Sequence, residues 1–122
     1  MILVDTSVWV DHFRNPIGAL EGLLASAMLV QHPYVTGELA LGNFKDRPSA
    51  LKFLRALPVA QVASQVDFLT FVEAARLHGT GVGFVDAHLL AACRLTPGTL
   101  LWSRDNRLEG WAGSMGLAWT PE

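Results

Sequence analysis

The chain has 122 residues, of which 51% are hydrophobic and 16% are charged; this length fits one domain, expected over residues 1–122, with enough apolar side chains for a substantial core. A formal net charge of −2 is not the charge of a strong nonspecific nucleic-acid binder. The single cysteine, Cys93, excludes an internal disulfide and a thiolate zinc cluster. No apolar run approaches the ~20 residues of a membrane span and no signal peptide is apparent, so we expect a cytoplasmic protein with no membrane contact.

The first half of the chain alternates short apolar strands with amphipathic stretches, which is typical of an α/β domain with a mostly parallel sheet. In chain order we predict a strand "MILV", a helix "VWVDHFR" capped by Thr6 or Ser7, and a helix "IGALEGLLASA". A short strand within "MLVQHPYV", a helix "GELALGN" opened by Thr36 and a helix "RPSALKFLRAL" follow.

The second half continues the same alternation. We predict a strand "VAQVA", a helix "DFLTFVEAARLHG" that begins at Ser64 or Asp67 and ends at Gly79, and a helix "VDAHLLAACRL" headed by Asp86. A strand "TLLWS", a turn and helix "RDNRLEGWAGSMG" and a last strand "LAWT" complete the chain. The glycine-rich loop "GTGVGF" lacks the pattern of a P-loop or of a dinucleotide-binding turn, so we predict a flexible turn there.

Four carboxylates fall at the ends of these predicted elements: Asp5 after the first strand, Glu38 in the first turn of a helix, Asp86 at the head of a helix and Asp105 after "TLLWS". Ligand sites of open parallel sheets form beyond the carboxyl ends of the strands, so we expect Asp5 and Asp105 at one edge. Short connections can bring Glu38 and Asp86 there. Each acid alone also has an ordinary explanation, as a helix cap, a complement to a helix dipole or a turn residue.

Converging carboxylates repel one another unless a cation lies between them. Oxygen ligands alone, without a cysteine cluster or an H-x-x-x-H spacing, favour Mg²⁺ or Mn²⁺ over Zn²⁺. A water activated by such an ion is suited to phosphodiester hydrolysis. Thr6, Ser7 and Ser103 are placed to orient the carboxylates or waters.

Basic side chains have to hold the phosphates if the substrate is RNA. Arg104 and Arg107 flank Asp105 and are the candidates for this substrate-binding role. A second basic group is interpreted as a solvated face rather than an RNA contact; it comprises Lys45, Arg47, Lys52 and Arg55.

The segments "ILVDTSVWVDHF", "VTGELALGN", "GFVDAHLLAAC" and "LLWSRDNRL" together resemble PIN-domain ribonucleases, specifically the VapC-type toxins of bacterial toxin–antitoxin systems. The resemblance runs from residue 2 to about residue 117. It implies a small α/β/α sandwich around a mostly parallel sheet.

The resemblance also implies the site. Asp5, Glu38, Asp86 and Asp105 match the four acids of the family, which are catalytic and bind metal, the fourth often through water. Ser103 stands where the family commonly has Thr. The implied activity is that of an endoribonuclease dependent on Mg²⁺ or Mn²⁺. The implied partners are RNA, a second copy of the chain in a homodimer, and a VapB-type antitoxin that neutralises the toxin.

Two other classes of protein also cluster acids around a parallel sheet. A Mg²⁺-dependent phosphatase of the haloacid-dehalogenase type needs a second Asp two residues after the first, but position 7 is Ser. A receiver domain needs an acid doublet near its first strand and a late Lys, but no Lys follows Lys52. A catalytically silent PIN-like binding module stays open as an alternative.

Overall fold

Three short parallel strands form the centre of the structure, which is a computed structural model describing residues 1–122. They are β1 (Ile2–Val4), β2 (Leu29–Val30) and β3 (Leu100–Trp102), in the spatial order β2-β1-β3. Ile2 lies opposite both Leu29 and Leu100. The central strand β1 is buried along its whole length, as its unbroken apolar run predicts.

Seven helices surround the sheet: α1 (Thr6–Arg14), α2 (Gly18–Ala25), α3 (Pro33–Ala40), α4 (Arg47–Ala56), α5 (Gln65–Ala74), α6 (Phe84–Leu95) and α7 (Asn106–Ser114). Helix α3 packs against both α1 and α4, whereas α6 packs against α5 and β3, and α7 packs against β3. One cluster of 27 buried hydrophobic residues, Cys93 among them, forms the core. The predicted α/β/α sandwich with a parallel sheet is confirmed. None of the helices is both long and apolar enough to cross a membrane.

Two of the predicted strands are wrong as strands. "VAQVA" and "LAWT" each contribute a single parallel bridge at an edge of the sheet, Gln31 with Val59 and Leu101 with Ala118. The first pairing ends at once because the chain after Gln31 enters α3 at Pro33. At the other edge, the amide of Trp119 donates to the carbonyl of Leu101, and residues 119–122 form no further bridge.

Helix α3 begins at Pro33 and not, as predicted, at Thr36. Proline is well suited to a first helical position because the amide it lacks would have no partner there. The side chain of His32 caps the helix by accepting a hydrogen bond from the amide of Tyr34 at 3.0 Å. Because the helix starts early, Glu38 lies in its last turn rather than its first.

Three other boundaries differ from the predictions. Asp5, and neither Thr6 nor Ser7, is the N-cap residue of α1. Helix α6 begins at Phe84 after the N-cap residue Gly83, so Asp86 lies within its first turn rather than at its head. The helix predicted to end at Gly79 ends at Ala74, because Arg76 adopts a left-handed conformation with φ of 54°.

Candidate active site

Asp5 is the buried member of the carboxylate group. It directly follows β1, and its side chain is 5% exposed. Its Oδ2 atom accepts hydrogen bonds from the Ser7 hydroxyl at 2.7 Å and from the Ser103 hydroxyl at 2.9 Å. The one ion pair in the structure joins Arg104 to Asp11, so no basic side chain is paired with this buried acid.

The two serine hydroxyls also tie the end of β3 to the start of α1. The Ser7 oxygen accepts a hydrogen bond from the amide of Arg104, and the Ser103 oxygen accepts one from the amide of Asp105, both at 3.0 Å. Two chain segments almost a hundred residues apart are therefore held together around Asp5. The structure places both serines in contact with the carboxylate that they were predicted to orient.

Glu38 is joined to the start of α1 through Thr6, the residue before Ser7. The hydroxyl of Thr6 donates a hydrogen bond to its Oε1 atom at 2.7 Å, and the side chain is otherwise exposed. An acid in the last turn of a helix faces the negative end of the helix dipole, which is unfavourable. The ordinary explanation of Glu38 as a complement to a helix dipole is therefore wrong.

Asp86 shows that the four acids converge. Burial is the largest cause that raises the pKa of this half-buried carboxyl, and the negative charges of Asp5, Asp105 and Glu38 add to it. Together they raise the pKa from 3.8 to about 6. The nearby positive charge of Arg107 opposes the rise in the pKa. The first turn of α6 therefore holds Asp86 where the charges of all the other predicted site acids reach it.

Asp105 has a structural role that uses one of its oxygens. It is the N-cap residue of α7, and its Oδ1 atom accepts hydrogen bonds from the amides of Arg107 at 2.9 Å and Leu108 at 3.1 Å. The predicted cap explanation of Asp105 thus holds for Oδ1. The cap does not use Oδ2, and this oxygen is available to a ligand.

The two candidate substrate-binding arginines differ in their surroundings. Arg104 forms the exposed ion pair with Asp11 at 3.0 Å. The guanidinium of Arg107 lies 5.3 Å from the centre of the Trp111 ring, and its Nη2 atom lies against Gly81. A Cβ atom on Gly81 would stand only 2.8 Å from that nitrogen.

This contact was missed by the sequence analysis, which interpreted the glycine-rich loop as a flexible turn. Gly81 has a φ of +87°, a conformation that L side chains rarely adopt, and its missing side chain leaves room for Arg107. The run of glycines in "GTGVGF" was the available signal. The loop lies between α5 and α6 and reaches a residue of α7.

The structure contains no group of three or more His, Cys, Asp or Glu side chains that could hold a metal ion. The charges of the other three acids nevertheless act on Asp86 and help to raise its pKa. The two observations agree if a cation is bound by one or two carboxylates and keeps several waters, as Mg²⁺ usually does. The residues present fit such an ion by donor type and by charge, since all four acids offer oxygen and repel one another without it.

Comparison with known proteins identifies the family of this chain. The PIN domain family matches residues 2–113, so this chain belongs to the PIN-domain family. Nucleases of this family generally use divalent metal ions. Two Mycobacterium tuberculosis proteins, from strains CDC 1551 / Oshkosh and ATCC 25618 / H37Rv, are each named Ribonuclease VapC32. Each is 42% identical to this chain over 122 residues, which is 100% of this chain and 98% of the relative. The chain is therefore a VapC-type member of the family, and the predicted resemblance is confirmed.

Proposed function

We propose that the chain is a metal-dependent endoribonuclease toxin that hydrolyses phosphodiester bonds in RNA. The observation that carries the proposal is the meeting of four acids: Asp5 and Asp105 follow the ends of β1 and β3 and share the Ser103 hydroxyl, and their charges and that of Glu38 add to burial in raising the pKa of Asp86 to about 6. The name of the two relatives, Ribonuclease VapC32, supports the same reaction class. We place the activity in a single domain over residues 1–122, acting in the cytoplasm.

We propose that Asp5, Glu38, Asp86 and Asp105 hold Mg²⁺ or Mn²⁺, directly or through waters. When bound, such an ion makes a water nucleophilic and offsets charge that develops on a phosphate. The chain's own residues set the geometry. The serine hydroxyls both act on Oδ2 of Asp5, which leaves Oδ1 for the ion.

Thr6 extends the arrangement by holding Oε1 of Glu38, so the outward-facing acid is oriented from α1. Both Asp5 and Thr6 belong to the start of α1. A single helix end therefore positions two of the four proposed ligands, one directly and one through a hydroxyl. This is the kind of support around metal-binding carboxylates that fixes their orientation.

We propose that Arg107 contacts the RNA phosphate. Its guanidinium is confined between the Trp111 ring and Gly81, and its charge acts on Asp86, so a phosphate bound at the acids lies within its influence. Arg104 is proposed as a weaker contact because Asp11 already uses one of its nitrogens.

A homodimer and a VapB-type antitoxin are the proposed protein partners. Large apolar side chains are exposed on α5 and at the start of α6, with Val66 73% exposed, Leu69 52% exposed and Phe84 62% exposed. Exposed apolar side chains that lie together favour a protein interface. We propose this face for the contact between two copies of the chain.

The test is cleavage of total cellular RNA by the purified chain free of antitoxin, with Mg²⁺, with Mn²⁺ or with EDTA. We expect discrete cleavage that requires metal, vanishes in Asp5→Asn and persists in Glu73→Gln, which alters an exposed acid of α5. Intact RNA with every metal, from a protein that circular dichroism shows to be folded, would favour the catalytically silent binding module. Cleavage that continues in EDTA and in Asp5→Asn would show that the site is placed wrongly or that the preparation is contaminated.

A further inference from the structure

A cleft of about 580 Å³ leads away from the carboxylate cluster along α1. One wall consists of residues at positions i, i+4, i+7 and i+8 of α1, which lie on one helical face; they are Thr6, Val10, Phe13 and Arg14. The other wall comes from the end of α3 and the loop before α4, including Glu38. The hydrogen-bonded pair of Thr6 and Glu38 therefore forms the end of the cleft that opens on the proposed metal ligands.

The far end of the cleft has an aromatic surface. The rings of Phe13 and Phe44 are stacked with their centres 4.6 Å apart and their planes 7° apart. The buried ring of Trp9 supports Phe13 at a distance of 5.8 Å. Phe13 lies roughly 10 Å along the helix from Thr6, given a rise of 1.5 Å per residue. The aromatic surface is therefore separated from the carboxylate cluster by about the length of one nucleotide.

Polar groups border the aromatic surface. Arg14 and Lys45 both line the cleft, are exposed and have no ion-pair partner. The exposed side chain of Asn43 also lines it, and its amide both donates and accepts hydrogen bonds. The cleft therefore combines a surface for stacking, positive charge and one group able to read the edge of a base.

We propose that this cleft binds one nucleotide of the RNA strand next to the phosphate that is cleaved. The base stacks on the outer face of Phe44, whose other face rests on Phe13. Arg14 and Lys45 bind the adjoining phosphate, and Asn43 contacts the base edge. This proposal rests on the proposed nuclease function and deepens it by locating a site that sets base preference. A volume of about 580 Å³ is that of a small-molecule site, which suits one nucleotide better than a helix of a protein partner.

Binding is tested first, in EDTA so that no RNA is cut, with a pool of short single-stranded RNA of random sequence. The variants are Phe44→Leu, Asn43→Ala and Lys45→Ala, with Leu41→Ala as the matched control. Leu41 lies on the same loop, is 91% exposed and does not line the cleft. We expect Phe44→Leu to weaken binding about tenfold, as loss of one base stack does. We expect Lys45→Ala to lower the slope of log affinity against log salt by about 0.7, the value for one phosphate of a single strand.

Cleavage is tested next, by sequencing the RNA ends that each variant produces with Mn²⁺. We expect Asn43→Ala to reduce the base preference at one position beside the cut at least threefold, whereas Leu41→Ala leaves it unchanged. Asn43 is exposed on a loop, so this variant keeps the test valid if Phe44→Leu lowers the melting temperature.

The proposal is overturned if the three cleft variants bind RNA and select cleavage sites as the wild type does. It is also overturned if they bind RNA normally but no longer retain a co-expressed VapB-type antitoxin, because the cleft is then a protein-docking site. A wild type that binds RNA through this cleft but cleaves none with any metal would support the nucleotide site while refuting the proposed nuclease.

Discussion

Replacing Asp86 with Asn should make the metal-free protein more stable at neutral pH. The pKa of Asp86 is raised in the folded state from 3.8 to about 6, so the folded protein binds this proton more tightly than the unfolded chain does. Above pH 6 the ionised carboxylate therefore lowers the free energy of unfolding, and below the unfolded pKa of 3.8 this cost is absent. At 1.36 kcal/mol per pKa unit the cost has a ceiling of about 3 kcal/mol. Asp86 is only half-buried, and solvent screening reduces the expected gain to about 1–2 kcal/mol.

The assay is thermal unfolding in EDTA, for the wild type, Asp86→Asn and the control Glu73→Gln. A gain of about 1–2 kcal/mol corresponds to a rise of roughly 4–8 °C in the melting temperature for a chain of this size. We expect that rise at pH 7.5 and its loss near pH 3.5, where the carboxyl of the wild type is neutral in both states. The control removes an exposed acid of α5 and should change the melting temperature by less than about 2 °C.

The second half of this prediction concerns thermal unfolding of the same proteins after Mg²⁺ or Mn²⁺ is added. An ion that binds only the folded state raises the free energy of unfolding by RT ln(1 + [ion]/Kd), so the wild type should gain stability with metal and Asp86→Asn, which binds the ion more weakly, should gain much less. The reasoning is refuted if Asp86→Asn is less stable than the wild type at pH 7.5 in EDTA. It is equally refuted if its gain is the same at both pH values, because electrostatic repulsion is then not the cause.

Three further predictions concern other parts of the site and the core. Gly81→Ala should lower kcat/KM about tenfold by displacing Arg107. The control is Gly79→Ala, because Gly79 also has a positive φ but no neighbour within 4 Å; this variant should keep kcat/KM within about twofold of the wild type. Equal losses in both variants would assign the effect to backbone strain. Ser103→Ala should lower the free energy of unfolding in urea by about 1–2 kcal/mol and lower kcat several-fold, because Asp5 loses one of its two hydroxyl donors. Ser103→Thr keeps the hydroxyl and should therefore keep the stability and kcat of the wild type. Losses in the Thr variant equal to those of Ser103→Ala would refute the role of the hydroxyl. Burial lowers the pKa of His32 to about 4, so this residue should remove up to about 3 kcal/mol of stability as the pH drops from 6.5 to 4, against the smaller gain of about 1–2 kcal/mol from Asp86 in the same range. In urea unfolding across this range, His32→Asn, which keeps an oxygen for capping α3, should not show the fall in stability of the wild type. An unchanged slope would contradict this cause.

The sequence predicted those parts of the site that depend on residues close to one another in the chain. A carboxylate placed directly after the apolar run of β1 indicated Asp5, and two hydroxyls beside it indicated its surroundings. The position of Glu38 was mispredicted because a proline and a histidine cap start α3 earlier than the apolar spacing suggests. The contact between Gly81 and Arg107 joins a loop to a later helix, and no local pattern encodes such a contact.

The helix ends explain how the fold tolerates four converging acids. Asp5 and Asp105 are the N-cap residues of α1 and α7, and Asp86 lies in the first turn of α6, so three helix dipoles present their positive ends to the cluster. Each such interaction stabilises a carboxylate by about 0.3–1 kcal/mol. These contributions reduce the repulsion but do not remove it, since the charges of Asp5, Asp105 and Glu38 still add to burial in raising the pKa of Asp86.

The remaining repulsion is the feature that favours a functional role. An acid kept only for structure would be placed so that its charge is compensated, as Asp105 is at Oδ1. Glu38 is instead placed at the negative end of its helix with one hydroxyl as partner, and Asp86 is partly buried among like charges. A divalent cation would convert both unfavourable placements into attractive ones. Under the proposed function, relief of this repulsion adds to the affinity of the folded protein for a divalent ion.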